Sequence, residues 1–432
     1  MFPRIIEFLK DKDILLLGFG REGRSTLEYI RKYLPDKRIT LADRNPVSLE
    51  DENVETVIGE CYLDSINEYD LVIKSPGISL RDVEIRDRSK ITCQVDLFLR
   101  FAPCRKIGIT GSKGKTTTST LTYMMLKEAG VDAVLVGNIG IPVLECIEKV
   151  NESTVAVIEM SSHQLEFCSA SPEVAVFTNI FEEHLDHYKG GFTGYVNAKT
   201  NIARFQSENG VFIYGEKSDI PRFVDFEKIA SEKIPVSENT FDLPFENEHL
   251  LGSHNKTDVC YAFAASSRFG VTPEQAVAAA NKFEGIEHRM EKVGEYYGIT
   301  FYNDCIATIP FAVMNAVHAL KNVGTLIIGG KDRGLDYSAF VSDLFNEDID
   351  NIICMPDTGY AIGKRLSEKG AKSNILFAED MEKAVSLAFE HTKKGKICLL
   401  SPAASSYNVY KNFEEKGAHY KKLIRGYSKK EG

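Results

Sequence analysis

One stretch of the chain decides the fold class: Ile107-Gly108-Ile109-Thr110-Gly111-Ser112-Lys113-Gly114-Lys115-Thr116-Thr117-Thr118. An apolar strand leads into a glycine-rich turn, and a helical pattern of apolar residues follows. Glycines let backbone N–H groups surround a phosphate, a lysine adds positive charge, and a threonine hydroxyl can bind Mg²⁺. The usual spacing would put glycine at 109, where this chain has isoleucine. The strand before the loop and the helix after it favour ATP binding over a plain strand-to-helix turn.

Composition and charge exclude several classes of protein. A length of 432 residues allows about three domains, and 43% hydrophobic with 26% charged residues is typical of a globular protein. The nine cysteines are scattered singly, which argues against a disulfide framework and for the reducing cytoplasm. A net charge of −10 disfavours nucleic acid and acidic membranes. We also expect no membrane span and no signal peptide.

Residues 1–92 have the pattern of a nucleotide-binding βαβ unit. Gly18-Phe19-Gly20-Arg21-Glu22-Gly23 follows an apolar strand at 14–17 and precedes a helical pattern. The next strand ends at Asp43, and the strand at 70–73 is followed by Ser75-Pro76-Gly77. These features predict a Rossmann-like domain with a nucleotide at the strand ends. NAD with Asp43 on a ribose, another anionic nucleotide, and a plain glycine-rich turn all remain open.

Polar side chains follow two strands of the central segment, residues 93–286. Glu159 ends a buried strand, and in nucleotide-binding sheets an acid there can hold Mg²⁺. A helix cap is the alternative for Glu159. Another strand leads into acids and histidines around His184, which we do not interpret as a zinc site because no cysteine accompanies them. Lys199 lies fifteen residues beyond His184 and would ordinarily be an exposed helical charge.

Residues 287–432 repeat the alternation of strands and helices. Strand patterns occur at 299–304, 325–328, 351–355, 374–377 and 397–400, which predicts a second nucleotide-fold-like α/β domain. The sequence therefore predicts an α/β protein of three domains: a Rossmann-like N-terminal domain (1–92), a central P-loop ATPase-like domain with a parallel sheet (93–286), and a C-terminal Rossmann-like domain (287–432).

Across its whole length the chain resembles the Mur ligases. The resemblance is carried by Gly111-Ser112-Lys113-Gly114-Lys115-Thr116-Thr117, Gly137-Asn138, Glu159-Met160-Ser161-Ser162, Thr178-Asn179, Glu183-His184-Leu185-Asp186, Lys199 and His254-Asn255. The short loop is that family's form of the P-loop, and a Rossmann-like first domain is that of its glutamate-adding member. The resemblance implies peptidoglycan-precursor synthesis: ATP-dependent ligation of glutamate, D-glutamate being favoured, to UDP-N-acetylmuramoyl-L-alanine through an acyl phosphate.

The same resemblance implies roles for individual residues. Catalytic residues would be Lys115, Glu159, His184 and Lys199. ATP would be bound by Gly111, Ser112, Lys113, Gly114, Lys115, Thr116, Thr117, Asn255, Arg289 and Asp304. Two Mg²⁺ ions would be held by Thr116, Glu159, His184 and a carbamylated Lys199. The UDP-sugar would be bound by Gly20, Arg21, Glu22, Asp43, Ser75, Pro76, Gly77 and Asn138, and glutamate by Thr308, Arg333, Ser406 and Phe413. The partners would be small molecules only, and we expect a monomer.

The chain departs from the family pattern at several positions. Asp304-Cys305-Ile306-Ala307-Thr308-Ile309 stands where many relatives read D-S-K-A-T-N, Asp258 replaces an asparagine expected near the adenine, and Lys416 stands where some relatives have arginine. Use of L-glutamate therefore stays open. Three rival functions also remain: an NAD-dependent dehydrogenase, another amide ligase such as a folylpolyglutamate synthase, and a nucleotide-binding regulator without ligase activity.

Overall fold

Three sheets, parallel except for one edge strand, form the framework of the chain. The computed structural model describes residues 3–139, 141–250, 252–332, 335–404, 406 and 409–427. Two compact units are present, Met1–Glu284 with two sheets and Gly285–Gly432 with one. The predicted α/β class with parallel sheets is confirmed, whereas the three domain boundaries stay predictions.

The first sheet has five parallel strands in the order β3-β2-β1-β4-β5. The strands are β1 (Ile14–Leu17), β2 (Ile39–Asp43), β3 (Val54–Ile58), β4 (Leu71–Lys74) and β5 (Ile91–Thr92), and the helices are α1 (Arg4–Leu9) and α2 (Arg21–Tyr33). β1 is buried at every position, as expected for a central parallel strand covered on both faces. The carboxyl ends of β1, β2 and β4 therefore lie along one edge.

The glycine-rich turn between β1 and α2 depends on close backbone approach. Gly18 has φ +91°, a left-handed conformation that glycine adopts without steric cost. A Cβ added to Gly23 would lie 2.1 Å from the carbonyl oxygen of Gly18. The first turn of α2 therefore packs directly on the turn, which explains the glycine spacing in the sequence.

The second sheet has six parallel strands in the order β11-β10-β9-β6-β8-β7. The strands are β6 (Arg105–Thr110), β7 (Ala133–Gly137), β8 (Val155–Glu159), β9 (Val174–Phe177), β10 (Val211–Gly215) and β11 (Glu232–Val236); the helices are α3 (Gln94–Phe101), α4 (Lys115–Glu128), α5 (Val143–Cys146), α6 (Ser162–Leu165), α7 (Phe192–Arg204), α8 (Ile220–Phe223), α9 (Gly252–Ser266) and α10 (Pro273–Asn281). β6 lies between β8 and β9, so the turns after these three strands converge at one edge.

The third sheet has the order β12-β13-β17-β14-β15-β16, with β12 antiparallel to β13 and the other pairs parallel. Its strands are β12 (Glu291–Tyr296), β13 (Ile299–Asn303), β14 (Val323–Ile328), β15 (Asn351–Cys354), β16 (Asn374–Phe377) and β17 (Ile397–Leu400); its helices are α11 (Pro310–Leu320), α12 (Ser338–Asn346), α13 (Thr358–Glu368), α14 (Met381–His391) and α15 (Phe413–Tyr427). The five strands predicted here are confirmed, whereas the edge strand β12 was not predicted.

The tight approach at Gly23 predicts a selective loss of stability. Gly23→Ala places a methyl group against a main-chain carbonyl that cannot easily move, and we expect it to lower the free energy of unfolding by about 1–3 kcal/mol. Gly20→Ala is the matched control, because Gly20 has φ −73° and nothing lies within 4 Å of its added Cβ. Urea titration followed by circular dichroism measures both variants. Equal midpoints for the two would contradict the described packing.

Candidate active site

The loop between β6 and α4 has a backbone that only glycine fits at two positions. Gly111 has φ +155°, and an added Cβ would lie 1.9 Å from the hydroxyl oxygen of Thr178. Gly114 has φ +81°, immediately precedes α4, and would place a Cβ 2.5 Å from a carboxylate oxygen of Asp258. The loop thus packs against neighbouring elements on both sides, and α4 presents its N-terminus where an anion would be stabilised.

The residues after β9 hold this loop through hydrogen bonds. Asn179 accepts from the backbone N–H of Ser112 (2.9 Å) through its carbonyl and from that of Lys113 (2.8 Å) through its side-chain oxygen. The Thr178 hydroxyl donates to the Lys113 carbonyl at 2.6 Å. The hydroxyls of Ser112 and Tyr195 lie 2.9 Å apart. The loop conformation is therefore fixed by the strand beside it, a role that sequence reasoning did not assign to Thr178 and Asn179.

Two lysine side chains converge on a single carbonyl of the loop. The Lys115 and Lys199 amines each donate to the Gly111 carbonyl at 2.8 Å, and Lys115 also donates to the Ser112 carbonyl at 3.0 Å. Lys199 is only 1% exposed. Burial, reinforced by the positive charge of Lys115, holds the pKa of Lys199 well below its ordinary value. The exposed helical charge considered from the sequence is thus a buried amine whose charged form is disfavoured.

Glu159, the last residue of β8, lies 1% exposed at the same sheet edge. One of its carboxylate oxygens accepts from the Asn138 side-chain amide at 2.6 Å. The other oxygen is buried and has no hydrogen-bond partner among the described residues. A buried carboxylate oxygen without a hydrogen-bond partner suits a ligand of a cation, because burying an unpaired charge costs free energy.

His184 approaches this region from the loop after β9. Its φ of +54° is a left-handed conformation, and its ring centroid lies 4.7 Å from that of His163. Burial lowers the pKa of His184, with Glu183 opposing and Lys199 reinforcing the shift. A neutral imidazole is the form that binds a metal. Glu183 also forms an ion pair of 2.6 Å with the exposed Lys113.

A cleft of about 290 Å³ opens beside the loop. It is lined by Lys113, Gly114, Thr178, Asn179, Phe181, Gly215, Lys217, Ser218, Asp219, Val236, Ser237, Glu238, His254, Thr257, Asp258 and Tyr261. Asn255, expected to bind ATP, belongs to the same helix, α9, as the last four of these. The cleft begins at the phosphate-binding loop, and its volume suits a nucleoside. Most of its lining from 215 to 238 lacks a sequence motif and was not predicted.

The expected UDP-sugar residues other than Asn138, which follows β7, lie at the carboxyl ends of β1, β2 and β4. Both oxygens of Asp43 accept backbone hydrogen bonds, from Phe19 and from Asn45, each at 2.8 Å. The Ser75 hydroxyl donates to the Gly18 carbonyl at 2.9 Å. Asp43 and Ser75 thus fix the glycine-rich turn itself, and each Asp43 oxygen keeps a further lone pair that could accept from a ligand.

Glu22 is half-buried as a residue. One of its carboxylate oxygens accepts from the side-chain amide of Gln164 at 2.6 Å, and the other is buried without a partner among the described residues. Burial raises the pKa of this carboxyl to about 7. Of the other expected residues here, Gly20, Arg21 and Gly77 are exposed and Pro76 is half-buried. The structure thus brings a titratable acid and an open backbone together at this edge.

In the second unit, Asp304 and Thr308 follow β13, and Ser406 follows β17. Asp304 accepts from the Ser401 hydroxyl at 2.7 Å and the Met290 backbone at 3.2 Å, and burial raises its pKa to about 6. The Ser406 hydroxyl is buried and without a partner among the described residues. Arg289 is exposed, and Thr308 and Phe413 are half-buried. Arg333 lies outside the described residues.

One further group of ligand-type side chains lies in this unit. Glu287, His288 and Glu291 bring their ligand atoms within 4.8 Å of one another. The Lys421 amine donates to both carboxylates, at 2.6 Å to Glu287 and 2.8 Å to Glu291. Lys421 thus supplies the positive charge that a metal would bring, so the group is an ion-pair cluster.

Comparison with known proteins finds similarity to Mur ligases over almost the whole chain. The Mur ligase middle domain matches residues 109–268, and the Mur ligase glutamate ligase domain matches residues 288–404. UDP-N-acetylmuramoylalanine–D-glutamate ligases of Clostridium botulinum and Clostridium acetobutylicum are 31% and 32% identical, each over 98% of both chains. The MurF ligase of Thermotoga maritima in complex with ADP shares the fold at 16% identity, with a TM-score of 0.55 over 96% of this chain and 95% of that one.

The described part of the chain contains no helix that is both long and apolar enough to cross a membrane. With a P-loop held by the neighbouring strand, an acid and a buried lysine at the same sheet edge, and identities above 30% over almost the full length, the chain belongs to the Mur ligase family.

Proposed function

We propose that this protein catalyses the ATP-dependent ligation of D-glutamate to UDP-N-acetylmuramoyl-L-alanine, a step of peptidoglycan-precursor synthesis. The observation that carries the proposal is the joint placement of Lys115, Lys199 and the unpartnered Glu159 oxygen around one phosphate-binding loop. A dehydrogenase would need none of these three groups. We further propose that the enzyme acts in the cytoplasm as a monomer with small-molecule partners alone.

The chemistry follows from the poor reactivity of a carboxylate toward an amine. Transfer of the γ-phosphoryl group from ATP to the alanyl carboxylate gives ADP and an acyl phosphate. The glutamate amine then attacks the carbonyl carbon, an amide bond forms, the carbon–oxygen bond to phosphate breaks, and the amine loses a proton. Phosphoryl transfer of this kind depends on positioning and charge neutralisation.

The loop residues supply that positioning. The N-terminus of α4 and the backbone of Gly111, Ser112, Lys113 and Gly114 would hold the phosphates, with Thr116 and Thr117 at the first turn. Lys115 now donates to two loop carbonyls and would turn its amine to the transferred phosphoryl group. Asn255, Arg289 and Asp304 would complete the ATP site.

Thr116, Glu159, His184 and carbamylated Lys199 would hold two Mg²⁺ ions, which neutralise phosphate charge when bound. The unpartnered Glu159 oxygen and the neutral His184 ring suit this role. The lowered pKa of Lys199 supports carbamylation, because the neutral amine is the form that reacts with carbon dioxide. The product is a carboxylate-like anion with two oxygens, a better Mg²⁺ ligand than an amine.

The two carbon substrates would occupy the remaining strand ends. Gly20, Arg21, Glu22, Asp43, Ser75, Pro76, Gly77 and Asn138 would bind the UDP-sugar, and Thr308, Arg333, Ser406 and Phe413 would bind glutamate. Lys416 is buried beside this second group, with its amine on the Gly329 carbonyl at 2.7 Å. Ile306 and Ile309 remove a cation and an amide expected there, so the stereochemistry of glutamate needs its own test.

The first test is phosphate release. We expect release from ATP only when UDP-N-acetylmuramoyl-L-alanine and glutamate are both present, and faster release with D- than with L-glutamate. The melting temperature is measured in parallel with UMP and with NAD. We expect UMP to raise it and NAD to leave it unchanged. Phosphate release that does not depend on both substrates would contradict the proposal. A melting temperature raised by NAD and not by UMP would also contradict it.

The second test removes loop chemistry. We expect Lys115→Ala and Glu159→Ala each to lower the rate of phosphate release by at least about 10²–10³. The first variant loses a cation at the transferred phosphoryl group, and the second loses a ligand of the cation that would neutralise it. Lys127→Ala is the matched control, an exposed lysine in the last turn of the same helix. Circular dichroism checks that all three variants fold. Near wild-type release in the Lys115 and Glu159 variants would rule out this mechanism.

The third test concerns Lys199. We expect Lys199→Ala to be inactive and to regain part of its activity with millimolar acetate or propionate, which replace the carbamate carboxylate. Wild-type enzyme depleted of carbon dioxide should lose activity and recover with bicarbonate. Lys189→Ala, at an exposed lysine before α7, controls for loss of surface charge. The carbamate would be excluded if no short carboxylate restores activity to Lys199→Ala and if the activity of the wild type does not depend on bicarbonate.

A further inference from the structure

The loop after β9 connects the two candidate binding sites of the first unit. Residues 181–188, which we call the bridging loop, form neither helix nor strand in the described chain. The loop contains His184, whose φ of +54° is a left-handed conformation. A residue other than glycine keeps that conformation only when its surroundings hold it there. Contacts from outside the bridging loop must therefore fix the position of His184.

The first half of the bridging loop is bonded to the phosphate-binding loop. The Ser112 hydroxyl accepts from the Phe181 backbone N–H at 2.9 Å and lies 3.2 Å from the Phe181 carbonyl oxygen. Lys113 forms its 2.6 Å ion pair with Glu183, the residue before His184. A nucleotide phosphate bound at Ser112 and Lys113 would therefore contact the same residues that hold this half of the bridging loop.

The second half of the bridging loop is bonded to the segment that follows β4. The Ser79 hydroxyl donates to the His187 carbonyl at 2.6 Å, and the Arg81 guanidinium donates to the Asp186 carbonyl at 2.7 Å. The Ser79 hydroxyl also accepts from the Arg81 backbone N–H at 3.3 Å, which joins the two donors. Both residues closely follow residues 75–77, where the UDP-sugar is proposed to bind.

A side-chain contact strengthens this second attachment. One carboxylate oxygen of Glu166, the residue after α6, lies 3.6 Å from the His187 Nε2 atom and 3.9 Å from the Lys74 amine. Lys74 is the last residue of β4, and its side chain is only 1% exposed. The carboxyl end of β4 is therefore connected to the bridging loop both through Glu166 and through the two donors that follow the strand.

We propose that Ser79 and Arg81 are positioning residues that hold the bridging loop, and with it His184, so that the UDP-sugar and ATP sites bind their ligands cooperatively. The inference rests on the proposed ligase function. Each ligand would restrict the bridging loop from one end. The second ligand would then lose less conformational freedom on binding, because its half of the loop is already ordered. Coupling of this kind is reciprocal, since each ligand improves the affinity of the other by the same factor.

Calorimetric titration of the full chain measures the coupling. The Kd for ADP is determined in Mg²⁺ buffer with and without saturating UDP-N-acetylmuramoyl-L-alanine, which does not react with ADP. For the wild type we expect the sugar substrate to lower the Kd for ADP at least about fivefold. Ser79→Ala and Arg81→Ala should each reduce this factor, and the double variant should bring it below about twofold. Each ligand alone should bind the variants as it binds the wild type.

Two control variants separate the loop contacts from general effects. Ser79→Thr keeps the hydroxyl donor and should keep the wild-type coupling factor. Arg86→Ala removes the same charge from another exposed position of the segment and should keep it as well. Hydrogen–deuterium exchange of peptides that cover residues 181–188 gives a second readout. Either ligand alone should slow exchange there in the wild type, whereas in the double variant only ADP should slow it.

The possible outcomes distinguish this inference from the ligase function. A wild-type Kd for ADP that the sugar substrate leaves unchanged, or a double variant with the wild-type coupling factor, would overturn the role of Ser79 and Arg81 and leave the ligase function standing. Weaker binding of the sugar substrate alone to the variants would also overturn it, because the two side chains would then contact the ligand. If circular dichroism shows that the double variant does not fold, the coupling factors of the single variants decide. A wild type that does not bind the sugar substrate would overturn both proposals.

Discussion

The close contact between Gly111 and Thr178 is the constraint on which the candidate site depends. A side chain at Gly111 would occupy the position of the Thr178 hydroxyl, 1.9 Å away, so the loop from β6 must run against the end of β9. That contact lets the Thr178 hydroxyl and Asn179 bind the backbone of Ser112 and Lys113. The loop is therefore held in shape before any nucleotide arrives, and little reorganisation is left to the bound state.

Two lysine side chains share one hydrogen-bond acceptor of this loop. Lys115 and Lys199 donate to the same Gly111 carbonyl, and two cations so close together in a buried place cannot both be favourable. Burial distinguishes the two lysines. Lys199 is almost fully buried and has the lowered pKa, whereas Lys115 is partly exposed. Two identical side chains thus meet different electrostatic environments at one loop because they are buried to different degrees.

Much of the fold could be predicted from sequence because central parallel strands are continuous apolar runs. β1, β8 and β17 were found this way. The edge strands β3 and β12 were not, because they are half exposed and mix polar with apolar residues. Sequence motifs predicted that Glu159 and Lys199 lie at the phosphate-binding loop. The burial of these two side chains, however, depends on packing in the folded chain. The sequence could not distinguish a solvated Lys199 from a buried one, nor reveal that Asp43 already binds two backbone amides.

Among the buried polar atoms without a hydrogen-bond partner in the described residues, three belong to residues expected to contact a ligand, one beside each sheet. These atoms are a carboxylate oxygen of Glu22, a carboxylate oxygen of Glu159 and the hydroxyl of Ser406. Each such atom costs about 1–3 kcal/mol of stability. A chain selected for stability alone would pair these atoms or replace them with apolar groups. They lie near the carboxyl ends of strands, where open parallel sheets bind ligands, so a ligand bound at each of these edges would have an unpaired protein atom to contact.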